Sequence, residues 1–362
     1  MKPQRARGLS INGLIIAALL VTVAPNSKAQ ETRPRLDIYG FAMMDMGIDL
    51  KRSDPVWFDV IRPTKLPSFE RQFGEDGNTY AGVRQTRFGV KGYAPTALGE
   101  LRTTFEFELF GTGVDAGQTT FRLRHAYGEL GKFGAGQTWS PFMDIDVFPN
   151  SVEYWGPNGM VFFRNVQVRW MPIQGDTRMT IALERPGASA DAGIYAERIE
   201  LTDISPRFPL PDLSAEYRLG RPWGYVEIAG IVRQIKWDDL GQQQFDLSGS
   251  EMGWGINLSS NLKLGAKKQN KLMLSVVYGE GVQNYMNDAP VDVGIKQVTV
   301  ANPSPNAALD VGEALPLLGL VAFYDHYWNE KWSTSLGYSR LDIENSSGQA
   351  SSAFKVGQYG LV

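Results

Sequence analysis

FRLRHAYGELGKFGAGQTWSPFMDIDVFP, residues 121–149, is the stretch on which the reading of the whole chain turns. A β-strand sends successive side chains to opposite faces. Arg122 and Arg124 therefore share one face, and Phe121 and Leu123 share the other. Gly131 and Lys132 make a tight turn, Phe133–Trp139 forms a second strand, and a long specialised loop opens at Ser140. A water-soluble sheet would turn its apolar face to a core. Here that face is expected to meet lipid or a neighbouring subunit, while the arginines line a wet interior and Ser140–Gly159 folds inward as a constriction. His125 shares a face with Leu123 and is expected either outward, packing at a subunit contact, or bonding locally.

Outward from this hairpin, the N-terminus carries Lys2, Arg5 and Arg7, an apolar run Leu14–Val23, and then Ser27, Lys28 and Ala29. This is the pattern of a secretory signal peptide. The run falls short of the roughly 20 residues a membrane-spanning helix needs. Residues 1–29 are expected to be a leader and 30–362 the mature unit. There is no cysteine, which excludes disulfides and thiolate sites in an oxidising compartment. Hydrophobic residues make up 43% and the net charge is −3, so nucleic acid is not an expected partner. Membrane-spanning strands hide their apolar residues at alternate positions, so ordinary hydropathy does not exclude a barrel.

Fourteen candidate strands follow one another: Leu36–Leu50, Val83–Tyr93, Gly99–Phe110, Thr120–Leu130, Phe133–Trp139, Phe162–Met171, Thr177–Arg185, Asp212–Leu219, Gly224–Lys236, Leu247–Leu264, Lys271–Tyr278, Leu317–Trp328, Trp332–Ile343 and Ser352–Val362. Their connections alternate long and short to the end, as in an all-β, antiparallel up-and-down transmembrane β-barrel. A sandwich would mix loop lengths at both ends. Phe88 and Val90 oppose Arg87 and Lys91; Leu101, Phe105 and Phe107 oppose Arg102, Glu106 and Glu108; Met179, Ile181 and Leu183 oppose Arg178 and Glu184. Charges on one face of strand after strand are costly in a core but expected in a water-filled lumen. Arg164 breaks the parity, since it alternates with Val166 and Val168.

The expected channel lining is Arg87, Lys91, Arg102, Arg122, Arg124, Arg164, Arg169 and Arg178, because guanidinium groups grip carboxylates through paired hydrogen bonds. Asp144, Asp146 and Glu153 on the inward loop would set acids beside these bases and focus a field across the pore. Against this stand two plainer readings: Glu106 and Glu108 pair with the arginines across strands, and Asp144 and Asp146 anchor the loop to the wall. Only His125 and His326 exist, in no metal-binding spacing, so no catalytic, cofactor or metal site is expected. Asp238, Asp239, Asp288 and Asp292 on long loops could hold calcium or lipopolysaccharide-bridging cations, but they show no regular calcium spacing and read rather as a solvated rim. Two rival classes remain: an outer-membrane barrel enzyme, and a soluble secreted β-protein that binds carbohydrate through its aromatics.

The runs QTRFGVKGYAPTALGELRTTFEFELFG, LRHAYGELGKFGAGQTWSPFMDIDVFP and DHYWNEKWSTSLGYSRLD resemble the DcaP-type porins of Gram-negative outer membranes, most strongly over Gln85–Asp146. The resemblance implies a homotrimer of barrels of about sixteen strands, set among outer-membrane lipid and lipopolysaccharide. It also implies passive uptake of small anions such as dicarboxylates. Some members carry a helical extension ahead of the barrel, and none is expected in the short span Gln30–Arg35. The chain stops at Gly360, Leu361 and Val362, inside a strand and without a terminal aromatic, so the last two strands are expected to be missing.

Overall fold

The computed structural model describes residues 33–191, 203–241, 245–299 and 309–362. The expected leader lies outside them. One antiparallel sheet dominates, with strands in strict sequence order: β1 (Arg35–Phe41), β2 (Arg87–Thr96), β3 (Gly99–Phe110), β4 (Thr119–Leu130), β5 (Phe133–Trp139), β6 (Arg164–Ile173), β7 (Arg178–Glu184), β8 (Asp212–Arg221), β9 (Gly224–Asp239), β10 (Gly249–Leu264), β11 (Asn270–Glu280), β12 (Pro316–Tyr327), β13 (Ser333–Ile343) and β14 (Val356–Leu361). A fifteenth strand, Ile204–Arg207, pairs with the end of β9. Among the described residues no ladder joins β14 to β1.

Several expected elements differ: within segments expected to be loops, Ala190–Asp191, Val293–Ile295 and Gly312–Ala314 form a separate three-stranded sheet. Leu36–Leu50 is not one strand: β1 ends at Phe41, and Asp45–Asp49 leaves the wall to pair with Asn78–Gly82 in a separate hairpin. Ile204–Arg207, expected to lie in a loop, extends the wall.

The two faces separate cleanly. Along β6, Asn165 and Gln167 are 4% and 3% exposed while Val166 and Val168 are 42% and 60% exposed. The apolar set is thus the outer one, inverting the arrangement of a soluble sheet. The enclosed face is of two kinds. On β9 to β14 it holds a large apolar cluster among polar groups such as Asn257 and Ser259: Ala229, Ile231, Met273, Val277, Val321, Phe323, Leu341 and Tyr359 are buried, packed against Phe142, Met143, Val147, Met160 and Val161 of the segment between β5 and β6. On β2 to β4 it is charged, carrying Arg87, Glu106, Glu108, Arg122 and Arg124.

The segment between β5 and β6 therefore enters the enclosure, as its aromatic content requires. At its far end it lies on the wall itself. A Cβ on Gly159 would come within 2.3 Å of the Arg340 carbonyl oxygen, and one on Gly319 within 2.4 Å of the Gly159 carbonyl oxygen. Two glycines face each other because no side chain fits between those backbones.

Candidate functional site

The charged wall is built around Glu106 and Glu108 on β3. Alternation aims both inward, and the neighbouring strands bring arginines to them from each side. Arg87 lies 3.7 Å from Glu106 and 3.5 Å from Glu108; Arg124 lies 2.5 Å from each; Arg122 and Arg164 reach Glu108 at 3.5 and 3.8 Å. Tyr39 donates to Glu106 at 2.7 Å. Four guanidinium groups surround two carboxylates, a surplus of two positive charges. Arg124 and Arg164 are buried at 6% side-chain exposure, whereas Arg87 and Arg122 keep 26% and 29%. The second pair is the more accessible one.

His125 is inward, contrary to the sequence expectation. A β-bulge causes the reversal: the ladder runs Glu106↔His125, then Phe107↔Leu123, leaving Arg124 as the extra residue. One extra residue resets the alternation. Gln137 Nε2 donates to the carbonyls of Leu123 and Arg124 at 3.2 and 3.4 Å, satisfying backbone that the bulge unpairs. His125 Nδ1 sits 3.0 Å from Thr138 Oγ1, and the ring packs edge-on to Trp139. Arg164 turns inward from the first position of β6 and stacks over Trp139 at 4.8 Å.

The other expected lining residues lie apart from this cluster. Lys91 stands over the Tyr39 ring and Arg102 pairs with Glu100 at 2.9 Å, both toward the short-turn end. Arg169 bonds Gln167 and the Trp139 carbonyl. Arg178 pairs with Glu216 and Glu227 at 3.2 and 3.1 Å in a second cluster.

That second cluster holds the inward loop. Asp144 is buried and accepts from Arg218 at 2.6 Å, Tyr225 at 2.7 Å and Ser259 at 2.6 Å. Asp146 meets Arg218 at 2.5 Å. Glu153 accepts from the backbone N–H groups of Ile61, Trp155 and Gly156 and from the Tyr359 hydroxyl. Burial nonetheless pushes its carboxyl above the usual range. All three loop acids are engaged by wall or loop groups. Tyr154 stacks on Phe110 at 4.3 Å, and burial pushes its phenol up to about 12, so it stays neutral beside Arg124.

Between wall and loop lies a cavity of about 700 Å³, lined by Arg87, Arg122, Arg124 and His125 on one side and by Phe148, Tyr154, Trp155 and Arg62 among others on the opposite side. Nothing in the sequence singled out Arg62. Its guanidinium is sandwiched between Trp57 at 4.2 Å and Trp155 at 4.3 Å and is bonded to Asp288 at 2.7 and 2.9 Å. Asp288 and Asp292, expected on a solvated rim, are buried. Asp288 clasps Arg62 and Thr64, and Asp292 takes Arg233, Ser189 and Asn284, because a carboxylate taken out of water must be fully bonded. Among the described residues no group of three or more histidine, aspartate or glutamate side chains is placed to hold a metal ion.

A family model for the DcaP outer membrane protein matches residues 75–288, more than half the chain and spanning both the charged wall and the inward loop. The chain belongs to this family. Among solved structures, the outer membrane channel DcaP of Acinetobacter baumannii aligns with TM-score 0.68 and 17% identity, covering 88% of this chain and 81% of that one. OmpT of Vibrio cholerae aligns at 0.48 and 13%, covering 88% and 80%. The anion-selective porin from Comamonas acidovorans aligns at 0.40 and 10%, covering 91% and 98%. A search of curated proteins found no match. This DcaP-family chain is an outer-membrane porin with a β-barrel architecture, and the long connections belong to the outer mouth and the short turns to the periplasmic end.

Proposed function

We propose that this porin passes small anions, dicarboxylates among them, along the wall formed by β2 to β6, and that it does so as a homotrimer exported by way of residues 1–29. The observation that carries the reading is the surplus of two guanidinium charges over carboxylates in the ionic cluster that borders the cavity, with Arg87 and Arg122 the most accessible. Glu106 and Glu108 hold the arginines in place and neutralise part of their charge. The remainder sets an attractive potential for anions in a narrow, low-dielectric passage. Arg87 and Arg122 offer donors to a carboxylate in transit, strong enough to select and shared enough with Glu108 to release. Asp144, Asp146 and Glu153 act in this reading as anchors that keep the loop, and so the constriction, in position.

The test is Arg87→Gln with Arg122→Gln in a planar bilayer. Reversal potentials in a salt gradient should move toward cation preference, and succinate flux should fall roughly tenfold, the scale of losing one to two charge-assisted contacts. Unchanged selectivity in a double variant that still migrates as a folded barrel would overturn the assignment.

A further inference from the structure

The periplasmic turns are not alike. The turns closing β2–β3, β4–β5 and β6–β7 carry or adjoin Glu100, Glu129 and Asp176 against Arg102, Lys132 and Arg178, with no net charge. Those closing β8–β9, β10–β11 and β12–β13 carry Arg221, Lys267, Lys268 and Lys331 against the single acid Glu330, and all five residues are exposed. The basic arc also carries outward tryptophans beside its turns. Trp328 and Trp332 are 67% and 69% exposed, and Trp223 is 45% exposed. By alternation, Trp328 continues the outward face of β12, and Trp332 that of Leu336 and Tyr338 on β13.

Local geometry joins these turns into one platform. Lys268 Nζ donates to the Pro222 carbonyl at 3.0 Å, tying the β10–β11 turn to the β8–β9 turn beside Trp223. Lys268 adopts φ 56°, a left-handed conformation that lysine rarely takes. Its ammonium has three donors, and the carbonyl uses one. Trp328 Nε1 is held by Thr334 Oγ1 at 3.1 Å, which fixes the indole at the edge of the wall.

We infer that this arc is a binding surface for anionic phospholipid headgroups of the periplasmic leaflet, with the phosphate among Arg221, Lys267, Lys268 and Lys331 and the acyl chains against Trp223, Trp328 and Trp332. Indoles settle at the headgroup level of a bilayer, and clustered lysines and arginines beside them attract anionic lipid. The opposite arc has the apolar face, but its cations are matched by as many acids. Lipid charge should therefore be sorted around the barrel, gathered on the β8–β13 side alone.

The experiment reconstitutes the full chain in phosphatidylcholine bilayers. It compares quenching of tryptophan fluorescence by brominated phosphatidylglycerol and by brominated phosphatidylcholine. The wild type should prefer phosphatidylglycerol by about tenfold or more, falling by up to about fivefold for each cation removed. In Arg221→Gln/Lys267→Gln/Lys268→Gln/Lys331→Gln the preference should vanish while heat-modifiable migration persists. In Lys132→Gln it should stay. Equal quenching by both lipids in the wild type, or an undiminished preference in the quadruple variant, overturns the inference. Competition by millimolar inorganic phosphate would also overturn it, assigning the cations to a free anion. Should the quadruple variant fail to fold, Lys267→Gln/Lys331→Gln provides the same comparison.

Discussion

The two halves of the enclosed surface are built on opposite principles. On β9 to β14 it is largely apolar and covered by a loop; on β2 to β4 it is ionic and borders an open cavity. The first half behaves as a protein core, in which burial of Phe142, Val147 and Met160 against Ile231, Val277 and Phe323 fixes the loop. The second behaves as a solvated interior, where charge is tolerated because water and counter-charges remain within reach. The difference teaches that the open space is off-centre. The loop packs against one side of the enclosed surface and leaves a cavity on the side of the arginines.

Removing the filled side should have the largest effect. Deleting Asp144–Tyr154 is expected to raise single-channel conductance roughly twofold or more, since the constriction it forms is lost. Heat-modifiable migration should be kept, because the ladders of the wall do not depend on the loop. Constant conductance with loss of the trimer would mean that the loop serves subunit contact instead, and the contrast between the two halves would fail.

A smaller effect distinguishes buried from outward aromatics. Phe142 is fully buried, and Phe142→Ala should cost about 3–5 kcal/mol by transfer and cavity terms. Phe121 is exposed on the outer face, and Phe121→Ala should cost under about 1 kcal/mol in detergent. Unfolding midpoints in urea would compare the two. Equal losses would show that the loop side is not packed as a core.

The smallest expected effect is on pH. Burial raises the Glu153 carboxyl, so the folded protein holds that proton more tightly than the unfolded chain does. The resulting stabilisation is fully present below the ordinary glutamate value of about 4.3 and is lost as pH rises through the folded value. The thermal midpoint of wild type relative to Glu153→Gln should therefore fall as pH is raised from 4 upward, by an amount on the order of a degree or a few. A difference that grew with pH would mean the four hydrogen bonds outweigh desolvation.

Much of this was legible from alternation alone. Arg87, Arg122, Arg124 and Arg178 face inward because apolar residues flank them at a period of two, and the long–short rhythm of connections located nearly every wall strand. The same rule would have found Arg218, which alternates with Asp212, Ser214 and Glu216 on β8. It failed at His125, where one inserted residue reverses the parity and no single sequence marks a bulge. It was silent on Arg62, which lies in a loop without periodicity and acquires its place from Trp57, Trp155 and Asp288.

Period-two patterning, turn residues and the absence of cysteine were enough to establish an antiparallel wall with an apolar outside and a charged inside, because each strand reports its own faces locally. Which acids meet which arginines was decided only when the wall curved and the loop entered it. Glu108 gathers Arg87, Arg122, Arg124 and Arg164 from three strands, and Asp144 finds Arg218, Tyr225 and Ser259 across 74 to 115 residues of sequence. Such pairings depend on the relative placement of distant strands and on the cost of leaving a buried charge unbonded, and neither is written in the local order of residues.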